Sequence, residues 1–429
     1  MPGDSSGCCE RPAWPRRKSD ACESCRWTSS TTRHKPPPGG VGTNVSILTR
    51  RLERAGHSVV RFGCRLGPEP PDMPPYIDYT SLRGMARLRG AARIIHDFSA
   101  AEALARFLSL SRNTVDVAHA HNLYHHLTPS VLAVLRRRRI PVVMSVRDFR
   151  LLCPAKHFLH DAAVCTQCMH HRYLQCVIRN CTSSRASALA LAAETCFQRF
   201  FRRYIQGVFR FLCPSQFMAD ALLMDCVPAG KIEVLRNPTE QSADWTDRGG
   251  GDEILYAGRV SREKGPDLML DIARAFSDVR VCVAGDGPML PWMRQEAARR
   301  KLGNVRFAGH LDREALEDCY RRAAVVVVPS RCFENSPNTM LEAMLRGLVV
   351  VGPNHGPFGE WLHDGSTGRL FVPADGGDLV RVVREVLADP GARARMGQAA
   401  RRLVRRRHDP DTIVVRLITV YQEAIAQCE

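Results

Sequence analysis

At 429 residues the chain is too long for one ordinary hydrophobic core, so two domains of roughly 150 to 200 residues with a cleft between them are expected. Apolar residues make up 45% of the chain, yet no unbroken apolar run approaches the ~18 residues of a membrane-spanning helix, and the charged, proline-bearing N-terminus argues against a secretory signal. The formal charge of +17 is mostly arginine without the signature of a nucleic-acid-binding module; no nucleic-acid partner is expected, and an anionic membrane surface or plain solvation of helix faces accounts for it.

Seventeen cysteines without a signal peptide argue for a reducing, cytoplasmic compartment, with peripheral attachment to the inner face of the plasma membrane as the membrane variant of that reading. Residues 1–38 carry Pro, Ser, Arg and Cys without apolar periodicity and read as a disordered or misassigned leader. From residue 39 a GGVG turn leads into the amphipathic VSILTRRLERAG and a strand, and VDVAHAH and IPVVMSV follow as short apolar strands. This alternation defines a first domain over 39–236 with a cysteine-rich insertion at 153–181. The polar, glycine-rich stretch 237–252 reads as a linker. Over 253–408 the strands EILYAG, VRVCVAG, NVRFAG and AVVVVPS alternate with helices, as in a parallel sheet covered on both faces. A last helix over 409–429 is expected to pack back on the first domain.

The stretch from Ser330 to Gly359 concentrates the chemistry, because ENSPNTMLE spaces Glu334 and Glu342 across a predicted helix start. Ser336 reads as the N-cap and Pro337 as the first helical residue, which leaves the N–H groups of Asn338 and Thr339 unpaired and the tip attractive to anions. At about 1.5 Å per residue, Glu342 lies roughly 8 Å beyond Pro337 while Glu334 stays in the loop. That layout suits a ligand with phosphate in its middle and a hydroxyl-bearing group at each end, as in a nucleotide-sugar. Upstream, a strand ending at Gly258 delivers Arg259 and then Lys264, two cations beyond a carboxyl strand end, where ligands of open parallel sheets bind. AGDGP around Gly285 is a second strand-to-helix turn at which glycine permits close backbone approach. A solvated basic loop and a plain tight turn are the bland readings of those two motifs.

In the insertion, Cys165 and Cys168 have zinc-knuckle spacing, and with Cys153 and Cys181 they form a candidate structural zinc set; scattered free thiols are the alternative. The segment FQRFFRRYIQGVFRFL sets aromatics on one stripe and arginines on another, suiting either an anionic bilayer or core packing.

GRVSREKG, AGDGP and FENSPNTMLEAMLRGLVVVG with HGPFGE, in this order, resemble the donor domain of family 4 glycosyltransferases; GGVGTNVSILTRRLERAGHSVV, VDVAHAHNLYHHLTP and IPVVMSVRDFRLLCP are similar to that family's acceptor domain. The resemblance implies an α/β chain of two facing Rossmann-like, doubly wound domains, the GT-B fold. It implies transfer of a sugar from a nucleoside-diphosphate sugar to a glycan or lipid-linked glycan in polysaccharide biosynthesis, with retention and no cofactor required for catalysis. Arg259 and Lys264 would hold the diphosphate, Glu342 the ribose and Glu334 the sugar hydroxyls. Gly258, Gly285, Ser336, Asn338 and Thr339 would complete the donor site, with Gly40, His121 and Asp148 on the acceptor side. Two departures stand out: no strand-like run precedes the glycine turn, and Arg147 occupies a position where many relatives carry histidine. They motivate a catalytically impaired sugar-nucleotide-binding protein as one alternative, beside a sugar-nucleotide epimerase of the same fold.

Overall fold

The computed structural model describes residues 26–31, 40–65, 77–78, 94–110, 115–124, 127–182, 184–240 and 251–428. The first domain contributes strands β1 (Arg26–Thr31), β2 (Ser58–Arg65), β3 (Ile77–Asp78), β4 (Val117–His121), β5 (Val142–Ser145), the short hairpin β6 (Leu159–His160) and β7 (Ala163–Val164), then β8 (Arg210–Cys213) and β9 (Ile232–Val234). The second contributes β10 (Glu253–Ala257), β11 (Val281–Ala284), β12 (Val305–Gly309), β13 (Ala323–Val327), β14 (Val349–Pro353) and β15 (Arg369–Phe371).

Two parallel sheets result, ordered β3-β2-β1-β4-β5-β8-β9 and β12-β11-β10-β13-β14-β15. Each runs outward from a central strand in one direction, then reverses, so each has a switch point: between β1 and β4 in the first sheet, between β10 and β13 in the second. Crevices open at such reversals, beyond the carboxyl ends of the strands. The alternation of side chains along the strands feeds both faces. In β10, Ile254 and Tyr256 enter one apolar cluster, Leu255 and Ala257 the other.

The absence of a strand ahead of the glycine turn is corrected by β1. Within the stretch read as leader, Arg26–Thr31 lies centrally, pairing in parallel with β2 (Trp27 opposite Val59) and β4 (Trp27 opposite Val117). The hydrophobic pattern missed it because RWTSST has almost no apolar run; backbone pairing on both sides defines it. The remainder of the leader, 1–25 and 32–38, residue 39 and the stretch 241–250 of the linker lie outside the described residues.

The helix Pro410–Ala426 returns to the first domain. Its Ile413, Val414, Leu417 and Val420 close the face of the first sheet that carries Val117, Val143 and Leu212. The two crossings of the chain between domains meet at His408, buried to 1% exposure. Its Nδ1 bonds the carbonyl of Asn237 at 2.7 Å and its Nε2 accepts from the Trp361 indole at 2.8 Å. Burial pushes the His408 imidazole down to about 4, which keeps it neutral and able to accept that bond.

Candidate functional site

A cavity of about 830 Å³ lies between the domains at the switch point of the second sheet, within the size range of small-molecule sites. Its first-domain wall is the helix Gly40–Arg54, through Thr43, Asn44 and Arg50. Opposite stand Gly258 and Arg259 after β10, Gly285 after β11, and Asn338, Thr339 and Glu342 on the helix Asn338–Leu345.

The glycines at the two strand ends are sterically required. Gly258 and Gly285 have φ of +156° and +139°, and a Cβ on Gly285 would lie 1.8 Å from the Gly258 carbonyl oxygen. The turns after β10 and β11 therefore cross in direct contact, and the cavity wall there is backbone. Arg259 extends from this wall with its side chain 64% exposed, 3.9 Å from Glu263.

Lys264 closes the short helical turn Arg262–Lys264, and its Nζ donates to both carboxylate oxygens of Glu334, at 2.6 and 2.8 Å. Glu334 also accepts from the Ser330 hydroxyl. Burial opposes the Lys264 charge, but Glu334, together with Cys332 and Glu263, outweighs it and raises the Lys264 pKa. Two loops distant in sequence, one after β10 and one after β13, thus meet at the sheet reversal.

The helix tip differs from expectation. Pro337, with ψ 112°, occupies the cap position, no side chain caps the helix, and the helix begins at Asn338. Ser336 is not the N-cap: its hydroxyl is buried without a hydrogen-bond partner. The cause lies in the preceding residue, since Asn335 donates to the Val146 carbonyl at 2.7 Å and accepts from Ser215 at 3.1 Å, both in the first domain. This tether holds the loop extended through Pro337. The uncapped tip touches the glycine turn, where Asn338 donates to the Gly40 carbonyl at 3.1 Å; a Cβ on Gly40 would come within 2.9 Å of that amide.

Glu342 faces the cavity under a set of side chains that sequence reading did not single out. Tyr320 donates to its Oε2 at 3.1 Å, and Arg346 donates to its backbone carbonyl at 2.7 Å. Arg346 in turn is held by Glu317 in a buried ion pair and lies over the Tyr320 ring, 4.6 Å from its centroid. Burial raises the Glu342 pKa against the pull of Arg346. The four-residue step from Glu342 to Arg346 on one helix was the available signal.

The residues expected on the acceptor side have different surroundings. His121 ends β4 but is buried to 2%, stacked 4.1 Å from His119, its Nδ1 without a partner; burial, with His119 and Arg147, pushes its pKa well down. His119 bonds Tyr421 of the returning helix at 2.6 Å and Ser145 at 2.8 Å. Arg147 bonds Asn237 at the interdomain crossing, and burial lowers it to about 10. Asp148 is half-buried, accepts from the Arg150 amide at 3.0 Å, and is raised by burial. His157, from the insertion, stands in the field of Glu263, Lys264 and Arg259; burial first, then Lys156, lowers it to about 4. Phe333, in the loop before Glu334, packs 4.8 Å from Phe217 and 5.9 Å from Phe158, so aromatic contacts also bridge the domains here.

The proposed zinc set of Cys153, Cys165, Cys168 and Cys181 does not assemble. Among the described residues no group of three or more His, Cys, Asp or Glu is placed to hold a metal. Cys153 and Cys168 interact as thiols, which lowers Cys153 to about 7; Cys181 faces His160 at 3.9 Å. Cys168 instead packs with the fully buried Cys176 against Tyr173, Ala188 and Ala192.

Comparison with known proteins places these elements in a wider set. Residues 38–242 match the model of Glycosyltransferase Family 4, and residues 238–403 match Glycosyl transferases group 1. A glycogen synthase of Mycobacterium tuberculosis is 27% identical over 404 residues, covering 90% of this chain and 91% of that protein. A D-inositol 3-phosphate glycosyltransferase of Kribbella flavida is 35% identical over 163 residues, 34% of this chain and 38% of that one. The structure of a sucrose-phosphate synthase from Thermosynechococcus elongatus superposes with a TM-score of 0.68 at 19% identity, covering 94% of this chain and all of that one. Anabaena HepE in complex with UDP gives 0.62 at 17%, covering 93% of this chain and all of that one. Among the described residues no helix is long and apolar enough to cross a membrane.

Proposed function

The chain belongs to the family 4 glycosyltransferases of the GT-B fold, and on that premise we propose that it moves a sugar from a nucleoside-diphosphate sugar, with retention of configuration, to a glycan or lipid-linked glycan in polysaccharide biosynthesis. The observation that carries this reading is the interdomain cavity, in which an exposed arginine, two backbone-lined glycine turns, an uncapped helix tip and an acidic residue surround one space.

In this reading the tip of Asn338–Leu345 and Arg259 bind the diphosphate. Glu342 accepts from the ribose hydroxyls through the oxygen that Tyr320 leaves free. Lys264 is shared between Glu334 and the donor: an arriving diphosphate competes for the ammonium and frees Glu334 to accept from the donor sugar's hydroxyls. In the transfer, the bond from the anomeric carbon to the β-phosphate oxygen breaks and a bond to the acceptor oxygen forms. The acceptor's proton passes to the departing phosphate. Charge accumulates on that phosphate, and Arg259, Lys264 and the helix dipole stabilise it. Asp148 stands on the acceptor side of this scheme.

The test is a donor panel of nucleoside-diphosphate sugars with glycan and lipid-linked acceptors, the product followed by NMR. Transfer with an unchanged anomeric configuration is expected. Isomerisation of free donor without transfer would instead identify an epimerase, and donor binding without any turnover a binding protein.

A further inference from the structure

The exposed large apolar side chains of the described residues are unevenly distributed. In the second domain they are scattered, as at Trp292 and Val372, whereas in the first Phe98, Phe200 and Phe201 are 77%, 81% and 48% exposed. These three belong to one surface. Phe200 and Phe201 meet edge to face at 5.1 Å, and Phe201 lies 4.5 Å from Phe197. Arg203 sits over the rings of Phe197 and Phe201, at 5.0 and 5.8 Å. Its Nη1 bonds His96 at 2.8 Å, and the His96 ring meets Phe98 at 4.4 Å. The patch is therefore continuous from Phe98 to Phe200.

The helix Arg185–Phe200 ends at the aromatic pair, and Arg202 turns the chain with φ 48° before the short helix Arg203–Gly207. Phe200 and Phe201 thus project at a helix end, with Arg202 exposed beside them. Aromatic rings left in water are unfavourable, and a patch of this kind marks an interaction site. Arginine beside exposed phenylalanine selects the class of partner: aromatics enter the headgroup and acyl boundary of a bilayer while guanidinium groups meet lipid phosphates. A second copy of this surface would bring the same arginines together in a chain of formal charge +17.

We propose that this patch docks the first domain onto an anionic lipid bilayer, with Phe98, Phe200 and Phe201 inserted and Arg202 and Arg203 on the phosphates. The proposal deepens the reading above, since it names the surface on which the acceptor-side domain meets a lipid-linked acceptor, but its test needs no donor. The full chain is sedimented with phosphatidylcholine vesicles and with mixed phosphatidylcholine and phosphatidylglycerol vesicles. Binding to the anionic vesicles is expected, weakened about tenfold or more by the double change Phe200→Ser and Phe201→Ser, and by Arg202→Glu with a smaller salt dependence. Arg202→Glu alters an exposed side chain only and stands as the second variant should the serine pair lower the melting temperature. Equal binding to neutral and anionic vesicles, no binding to either, or wild-type binding by both variants overturns the proposal. So does a loss of dimer in light scattering without any change in vesicle binding, which would assign the patch to a second copy. Vesicle binding without sugar transfer would retire the functional reading alone; transfer without vesicle binding would retire the docking surface alone.

Discussion

The two sheets reverse strand order in the same way, but the residues at their reversals are used differently. In the second domain, the loops after β10 and β13 leave Arg259 exposed in the cavity and hold Lys264 against Glu334. In the first, His119, His121 and Arg147 sit at the equivalent strand ends and are withdrawn into the packing of the return helix and the domain crossing. A shared topology offers a crevice at each reversal, and what fills the space beyond the strands decides whether side chains there meet ligand or protein. In the first domain the return helix takes up His119 through Tyr421 and the domain crossing takes up Arg147 through Asn237, whereas in the second Arg259 stays exposed.

That contrast can be broken most severely at Lys264. Lys264→Ala removes the cation from the donor side and is expected to lower kcat by about a hundred- to a thousandfold, the scale of losing one preorganised electrostatic partner. Steady-state kinetics against wild type decide the matter; a loss confined to KM would remove Lys264 from the transition state. On the protein-filled side, the buried histidines link stability to pH. The His408 pKa is about 4 when folded, against an ordinary 6.5, so between those values the unfolded chain binds the extra proton. Above about 6.5 the linkage contributes nothing; on acidification toward pH 4 roughly 3 kcal/mol is lost, and His119, lowered to about 3, adds in the same direction. Denaturant unfolding at pH 7 and pH 4.5 measures this, and a His408→Gln variant with an unaltered pH slope would show the linkage lies elsewhere.

A steric change tests the crossed turns. Gly285→Ala forces a methyl group onto the Gly258 carbonyl and is expected to cost about 2 kcal/mol of stability, read as a lowered thermal midpoint; an unshifted midpoint would mean the turns separate freely. The smallest effect is expected at Tyr320. Tyr320→Phe removes one hydrogen bond to Glu342, about 1 kcal/mol or fivefold in donor affinity, with kcat unchanged. The loss should vanish for a donor whose ribose lacks its hydroxyls, and an equal loss for both donors would make Tyr320 a packing residue only.

The second-domain wall of the cavity was legible because each motif is local. A strand, a glycine turn and a helix start are written in consecutive residues, so GRVSREKG, AGDGP and ENSPNTMLE announce their own geometry. Ser336 failed as a cap although its type and position suit the role. The tether of Asn335 to Val146 and Ser215, residues far away in the chain, held the loop extended. Strand β1 went unread for a related reason: its pairing with β2 and β4 is long-range, while RWTSST lacks the apolar run by which strands are recognised. The zinc reading rested on spacing, and spacing does not say whether four thiols converge on one point; Cys168 packs into a small core with Tyr173, Ala188 and Ala192, and no metal-holding group forms among the described residues.

The amino-acid order by itself determined two parallel α/β domains and the strand-end turns and helix start that wall the cavity on the second-domain side, since periodicity and turn chemistry act over a few positions. Which of those residues face the cavity, which partners hold Glu342 and Lys264, and which histidines are sealed away were decided by tertiary structure alone. The reason is that burial and charge pairing depend on what arrives from elsewhere in the chain, as the return helix does at Tyr421.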